Sequence, residues 1–266
     1  MLLNNFYINL KKKINNKLKK NLKKIIILSL YLITSPILFF FFIIIRIISP
    51  IVFIRFGIIR SDAIGHFIFN TSYNLKQNKK KYNYFDLFFL SSFPVANKYY
   101  LSVIKKNMNI FQFIKIYYYF EKFINLKSKR LVDKELEYHG SRDLKGVFFN
   151  KELTHKFTDK ENNMGYNFLK EKKINKSDRF ICLNIRDSAY KKFYKYEKVN
   201  INFSYHDYRD SSLSNYIETI KYLIKQNYKI IRMGKKVNEK FPIENPNFID
   251  YPFIKEKSDF LDIWLM

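Results

Sequence analysis

The sequence predicts an α/β protein with doubly wound parallel sheets set behind an N-terminal membrane anchor. Three observations carry that expectation. Short β-branched apolar runs alternate with amphipathic stretches of helical period, and residues suited to strand ends and helix caps separate them. A single uncharged apolar run, Ile25 to Ile45, stands apart from this alternation near the start of the chain. A lysine-dense stretch precedes the run and Arg46 follows it.

Residues 1–24 form a basic arm in which eight lysines between Lys11 and Lys24 are interleaved with Ile14, Leu18 and Leu22. That spacing predicts an interfacial basic helix on an anionic cytoplasmic leaflet. The 21 residues of the apolar run would make a helix of about 30 Å, enough to cross a hydrocarbon core, so residues 25–49 are expected to be the anchor. Pro36 sits inside the run and either kinks a spanning helix or turns a re-entrant hairpin. The expectation leans to the hairpin, with both flanks in the cytoplasm. A signal peptide is not indicated, since the apolar core is long and no small-residue cleavage site follows it.

Residues 50–127 are expected to form a first Rossmann-like domain. Ile51 to Ile59 is a buried strand, and Ser61 or Asp62 caps a helix with Ile64, Phe67, Ile68 and Thr71 on one face. Asp86 to Ser91 repeats the strand, with Ser92, Pro94 and Asn97 as loop and cap before a helix over Lys98 to Lys106. The tyrosine-rich stretch 109–127 is predicted as a helix packed on that sheet. Residues 128–178 are charged and broken and are taken as an interdomain region, within which Thr158 and Glu161 form a capping box.

Residues 179–266 are expected to be part of a second such domain. Its elements are a strand at Phe180 to Ile185, a helix over Ser211 to Gln226, a strand at Tyr228 to Met233, a short strand at Phe248 to Asp250, and a helix from Asp259 capped by Ser258. Three strands are few for a doubly wound domain, so the expectation is a C-terminally truncated or fragmentary chain.

The chain has 266 residues and a formal net charge of +26, from 49 Lys and Arg against 23 Asp and Glu. Anionic partners are therefore attracted to much of the surface, although the lysine excess is spread widely. One cysteine, Cys182, excludes an internal disulfide and a Cys-rich zinc site. No P-loop, no dinucleotide fingerprint and no D-x-D at a strand end occurs, and the four histidines are far apart in sequence. No metal or other cofactor is expected. The positive charge comes without a nucleic-acid reading motif, so nucleic acid is not expected as a partner.

Ligands of open parallel sheets bind beyond the carboxyl ends of strands, which singles out Arg186 and Asp187 after one strand and Arg232 and Gly234 at the end of the next. Two arginines at one sheet edge can clamp a diphosphate, while an ion pair of Arg186 with Asp187 or Asp210 would merely fix a loop. Arg232 falls in an otherwise apolar strand, where a charge requires a ligand or a specific partner. His66 opens a helix after Gly65, and His206 lies in the run Tyr-His-Asp-Tyr-Arg-Asp, where Asp207 or Asp210 could orient it as a general base.

The segments Ile64-Gly65-His66-Phe67, Arg186-Asp187-Ser188-Ala189-Tyr190, His206-Asp207-Tyr208-Arg209-Asp210, Ile231-Arg232-Met233-Gly234 and Ser258-Asp259-Phe260-Leu261-Asp262-Ile263 occur in this order. Together, over roughly residues 50 to 266, they resemble a family of bacterial glycosyltransferases associated with surface-polysaccharide gene clusters. The resemblance implies a GT-B architecture and a metal-independent transfer of sugar from a nucleotide-sugar donor. The acceptor would be lipid-linked or a polysaccharide, at the cytoplasmic membrane face. It places His66 on the acceptor side and Arg186 and Arg232 on the donor-phosphate side. Ala63 stands where the family pattern has arginine, and the Gly/Ser-rich donor loop that follows the Ser-Asp-Phe-Leu-Asp helix in the family is not among these residues. The alternative expectation is a truncated, non-catalytic membrane-tethered module that binds anionic lipid or another enzyme.

Overall fold

The computed structural model describes residues 34–76, 83–125, 127–132, 142–144, 146–149, 155–190 and 204–266. The basic arm lies outside these residues, as does the start of the apolar run. The protein is mixed α/β with two three-stranded parallel sheets, ordered β1-β2-β3 and β4-β5-β6. It divides into two compact units. One is drawn from Met1–Ile58, Asn78–Leu90 and Asn109–Gly140, the other from Ile59–Gln77, Ser91–Met108 and Ser141–Met266.

In the first unit, residues 34–47 form helix α1. Strands β1 (Phe53–Ile59) and β2 (Tyr84–Leu90) follow, then a two-residue strand β3 (Asn109–Ile110) and helix α4 (Ile114–Ile124). Between these strands the chain passes through α2 (Ile64–Lys76) and α3 (Lys98–Ile104) of the second unit. Leu87 and Phe88 of β2 pair in parallel with Asn109 and Ile110 of β3, and Leu131 adds a parallel bridge to Phe56 of β1. Leu38, Ile45, Phe56, Phe89, Ile114, Tyr117, Tyr118 and Leu131 close one core.

Among the described residues of this unit, Asp86, Glu121 and Arg130 are buried charges, and each has its partners. The Arg55 guanidinium forks onto Asp86 through Nε (2.7 Å) and Nη2 (2.8 Å), with its plane over the Tyr84 ring. Glu121 is fully buried and accepts from Arg46 Nη2 (2.7 Å), Ser128 Oγ (2.5 Å) and Tyr117 OH (3.3 Å). Arg130 spends its donors on Ile54 O and Ser49 Oγ, both at 2.8 Å.

The expected anchor over residues 25–49 is not supported. Among the described residues no helix is long and apolar enough to cross a membrane. Residues 34–47, Pro36 included, make one helix whose Leu38 and Ile45 lie in the protein core. An apolar run long enough for lipid is also long enough to lie against a sheet, and length alone does not separate the two.

The second unit holds α2, α3, helix α5 (Asp159–Glu171), strand β4 (Phe180–Asn184), helix α6 (Ser214–Lys225), strands β5 (Lys229–Met233) and β6 (Phe248–Asp250), and helix α7 (Leu261–Trp264). The capping box forms as expected: the Thr158 side chain accepts from Glu161 N, and the Glu161 carboxylate accepts from Thr158 N. Asn97 caps α3 through Tyr100 N (2.7 Å), and Ser258 Oγ accepts from Leu261 N at the start of α7.

Strand alternation sorts the side chains of this sheet onto two faces. Ile231 and Met233 join Phe168, Leu169, Tyr251 and Leu265 on one face, while Ile230 joins Ile185, Leu213, Ile220 and Phe248 on the other. Gly165 of α5 is required by the first packing, because a Cβ there would come within 2.1 Å of the Trp264 ring. The Cys182 thiol donates to Leu265 O at 3.0 Å, fastening the last turn of the described chain to β4.

Candidate functional site

Every strand of the two sheets except β3 leads at its carboxyl end into a segment of the second unit. Ser61, fully buried just beyond β1, donates its hydroxyl to Ser92 O (2.9 Å) and its N–H to Ser91 Oγ (3.1 Å), and Ser61 O accepts from Ala96 N (2.7 Å). These bonds join the segment after β1 to the segment after β2. The Lys235 ammonium, two residues past β5, donates to Ala96 O (2.5 Å) and to Asp259 Oδ1 (2.6 Å). Asp259 also accepts from Lys98 N (2.5 Å), and its carbonyl accepts from the Asn97 side chain (2.7 Å).

The same network closes on its other side. Asp187 Oδ2 accepts from Asn238 N (2.8 Å), which ties the segment after β4 to the segment after β5. Tyr190 OH donates to Asp62 O (2.9 Å), returning to the residues after β1. The path from Asp62 through Ser61, Ala96, Lys235, Asn238, Asp187 and Tyr190 back to Asp62 is a closed hydrogen-bonded ring of four strand-end segments. Such a ring fixes loop positions that would otherwise cost conformational entropy to order around a ligand.

The residues singled out in sequence fall at different depths of this ring. Arg186 leaves β4 and pairs through Nε with Asp210 Oδ1 at 3.2 Å, with about a third of its side chain exposed. Asp187 has both carboxylate oxygens engaged, Oδ1 by Ala189 N (2.9 Å) and Oδ2 by Asn238 N. Arg232 lies below the ring, fully buried, with Nη1 on Glu239 O (2.9 Å) and Asp250 Oδ1 (3.2 Å) and its guanidinium over Phe241. The specific partner that a charge in this strand requires is thus Asp250, its register neighbour on β6. Gly234 has φ +152, where a side chain is strained, and a Cβ there would also meet Val237 at 2.9 Å.

His66 sits half-buried in the first turn of α2, four residues beyond Asp62. Burial holds its pKa below the ordinary histidine value, Arg60 pushes in the same direction, and Asp62 opposes them. The imidazole is therefore neutral at neutral pH and able to accept a proton. His206 lies on the 3-10 turn Ser204–Arg209, which leads directly to Asp210, the partner of Arg186; its side chain is outside the described set.

Lys235 and Lys257 were not singled out in the sequence, and Asp259 and Tyr190 entered only as members of the resembling segments, without a role. The Lys235-Lys236 pair after a strand-ending Gly234 was the available signal for the first; the others become neighbours only through the fold. Lys257 donates to Lys235 O (2.7 Å) and Pro252 O (3.2 Å), and burial lowers its pKa. Burial raises the pKa of Asp262, which accepts from Tyr251 OH at 2.9 Å. Among the described residues no three His, Cys, Asp or Glu side chains converge as a metal site would require.

No family model matches this chain, and no curated protein or solved structure is significantly similar to it.

Proposed function

We propose that the chain is a glycosyltransferase of GT-B type, transferring a sugar from a nucleotide-sugar donor to a lipid-linked or polysaccharide acceptor at the cytoplasmic membrane face. The observation that carries this reading is the closed ring of strand-end segments, with Arg186 next in sequence to its Asp187 and the neutral His66 four residues beyond its Asp62. Parallel α/β sheets bind phosphorylated ligands at this end of the strands. In the transfer the acceptor hydroxyl attacks the anomeric carbon, the bond from that carbon to the diphosphate oxygen breaks, and the hydroxyl proton passes to a histidine, His66 or His206. Arg186 exchanges Asp210 for the departing diphosphate and neutralises its charge. Arg232, enclosed and paired with Asp250, positions the segment after β5 beneath the donor.

Calorimetry with a nucleoside diphosphate tests the phosphate role: Arg186→Ala is expected to weaken binding by about tenfold or more. Unchanged affinity removes Arg186 from the site. The lowered pKa of His66 places the acid limb of kcat/KM below the ordinary histidine range of about pH 6.5. Arg60→Ala should move that limb upward, because it removes a charge that opposes protonation. A limb that stays in place would exclude His66 as the base.

A second reading, a non-catalytic binding module, is favoured by one observation. Arg186, Asp187 and Arg232 all have protein partners already. Donor turnover by the full chain separates the two, since a module binds without releasing nucleoside diphosphate.

A further inference from the structure

We infer that α1 and α4 together form a face that docks in the plane of an anionic bilayer surface, so that the first unit holds the protein on the membrane without spanning it. This rests on the membrane-face part of the proposed function and is independent of its sugar-transfer part. Helix α1 is apolar on every side from Pro36 to Ile45, yet the protein buries only one side of this stretch, through Leu38 and Ile45. On its other side Phe40 (61 %), Ile43 (42 %) and Ile47 (70 %) are exposed. Helix α4 is built alike: Ile114, Tyr117, Tyr118 and Glu121 face inward, whereas Ile116 (48 %) and Phe123 (87 %) face out. Phe42 of α1 meets Phe120 of α4 edge-on at 6.4 Å between ring centroids, which sets the two helices side by side.

Side chains of this size repeating along two adjacent helices exceed the scattered single apolar residues of an ordinary surface. Charge selects the occupant. Lys115 is exposed and Lys122 is half-buried on α4, and eight lysines lie between Lys11 and Lys24, just ahead of α1 in sequence. Apolar side chains flanked by lysine match a bilayer with anionic headgroups. A second copy of the chain would instead bring two bodies of net charge +26 together. Because one side of each helix is committed to the sheet, lipid can meet only the other, and both helices lie parallel to the surface.

The test is flotation of the full chain with vesicles of phosphatidylcholine alone and with about a third phosphatidylglycerol. The parent is expected to float with the anionic vesicles. Phe40→Ser combined with Phe123→Ser should lower the partition by about tenfold or more with the circular dichroism spectrum unchanged, as both side chains are outside the core. Lys115→Glu with Lys122→Glu should reduce the preference for anionic over neutral vesicles. Parent-like flotation of the serine variant would overturn the inference, and so would a lipid-free dimer, seen by sedimentation velocity, that the serine variant dissolves. Calorimetry with nucleoside diphosphate on the serine variant keeps the two proposals apart: donor binding intact with flotation absent from the parent sinks the docking face alone.

Discussion

Both units enclose a charged side chain against a three-stranded parallel sheet, and they solve the problem differently. In the first, Glu121 is fully buried and receives three donors, from Arg46, Ser128 and Tyr117, while Arg46 leaves one buried nitrogen, Nη1, unpartnered and keeps about a third of its side chain in solvent. In the second, Arg232 is fully buried and only Nη1 is satisfied; Nε and Nη2 have no protein partner. A complete network rigidifies its surroundings, whereas a half-satisfied one carries a standing desolvation cost. The arginine with two unsatisfied nitrogens lies on the strand that leads into the ring of strand-end segments, and the carboxylate with three donors lies in the unit whose helices expose apolar faces.

Removing Asp250 should have the largest effect. Asp250→Ala strands Arg232 without a counter-charge and takes the acceptor from Phe241 N, so a loss of about 3–5 kcal/mol is expected in urea unfolding. Adding Arg232→Met should restore part of it, because the stranded charge goes too. A double variant no more stable than the single one would mean that the pair is not the source of the cost. Glu121→Ala is expected to cost less, about 2–3 kcal/mol, since Arg46 can turn to water when its partner is lost. An effect equal to that of Asp250→Ala would erase the contrast between the units. Ser128→Ala, which withdraws one of three donors from Glu121 and one acceptor from Arg130 N, should cost about 1 kcal/mol by the same measurement.

Much of the fold could be read before any coordinates. Phe248–Asp250 occupies the expected residues, β2 and β4 lie within two residues of expectation, and the caps at Asn97, Thr158 and Ser258 form as their side-chain chemistry requires. Strand β3 could not be read. Its two residues carry no alternation, and the pairing of Asn109 and Ile110 with β2 is made by backbone groups that any sequence supplies. The apolar run leaves lipid and core unseparated for a different reason: burial in protein and burial in lipid use the same side chains. At the candidate site, Arg186, Asp187 and Gly234 were visible because strand ends are privileged positions. The contact of Lys235 with Asp259 and Ala96 was not, because it joins residues remote in sequence. Asp250 became legible as the partner of Arg232 only once the register placed them side by side.

The lone thiol also provides a clock. Burial pushes the Cys182 pKa up to about 11, so at neutral pH roughly one molecule in ten thousand carries the thiolate that reacts with an alkylating reagent. Its hydrogen bond to Leu265 O holds the half-buried sulfur against the last turn. The rate at which a thiol reagent modifies the native protein therefore reads the state of that seam, one chemical event at a time. With no second cysteine in the chain, the reading comes from a single address.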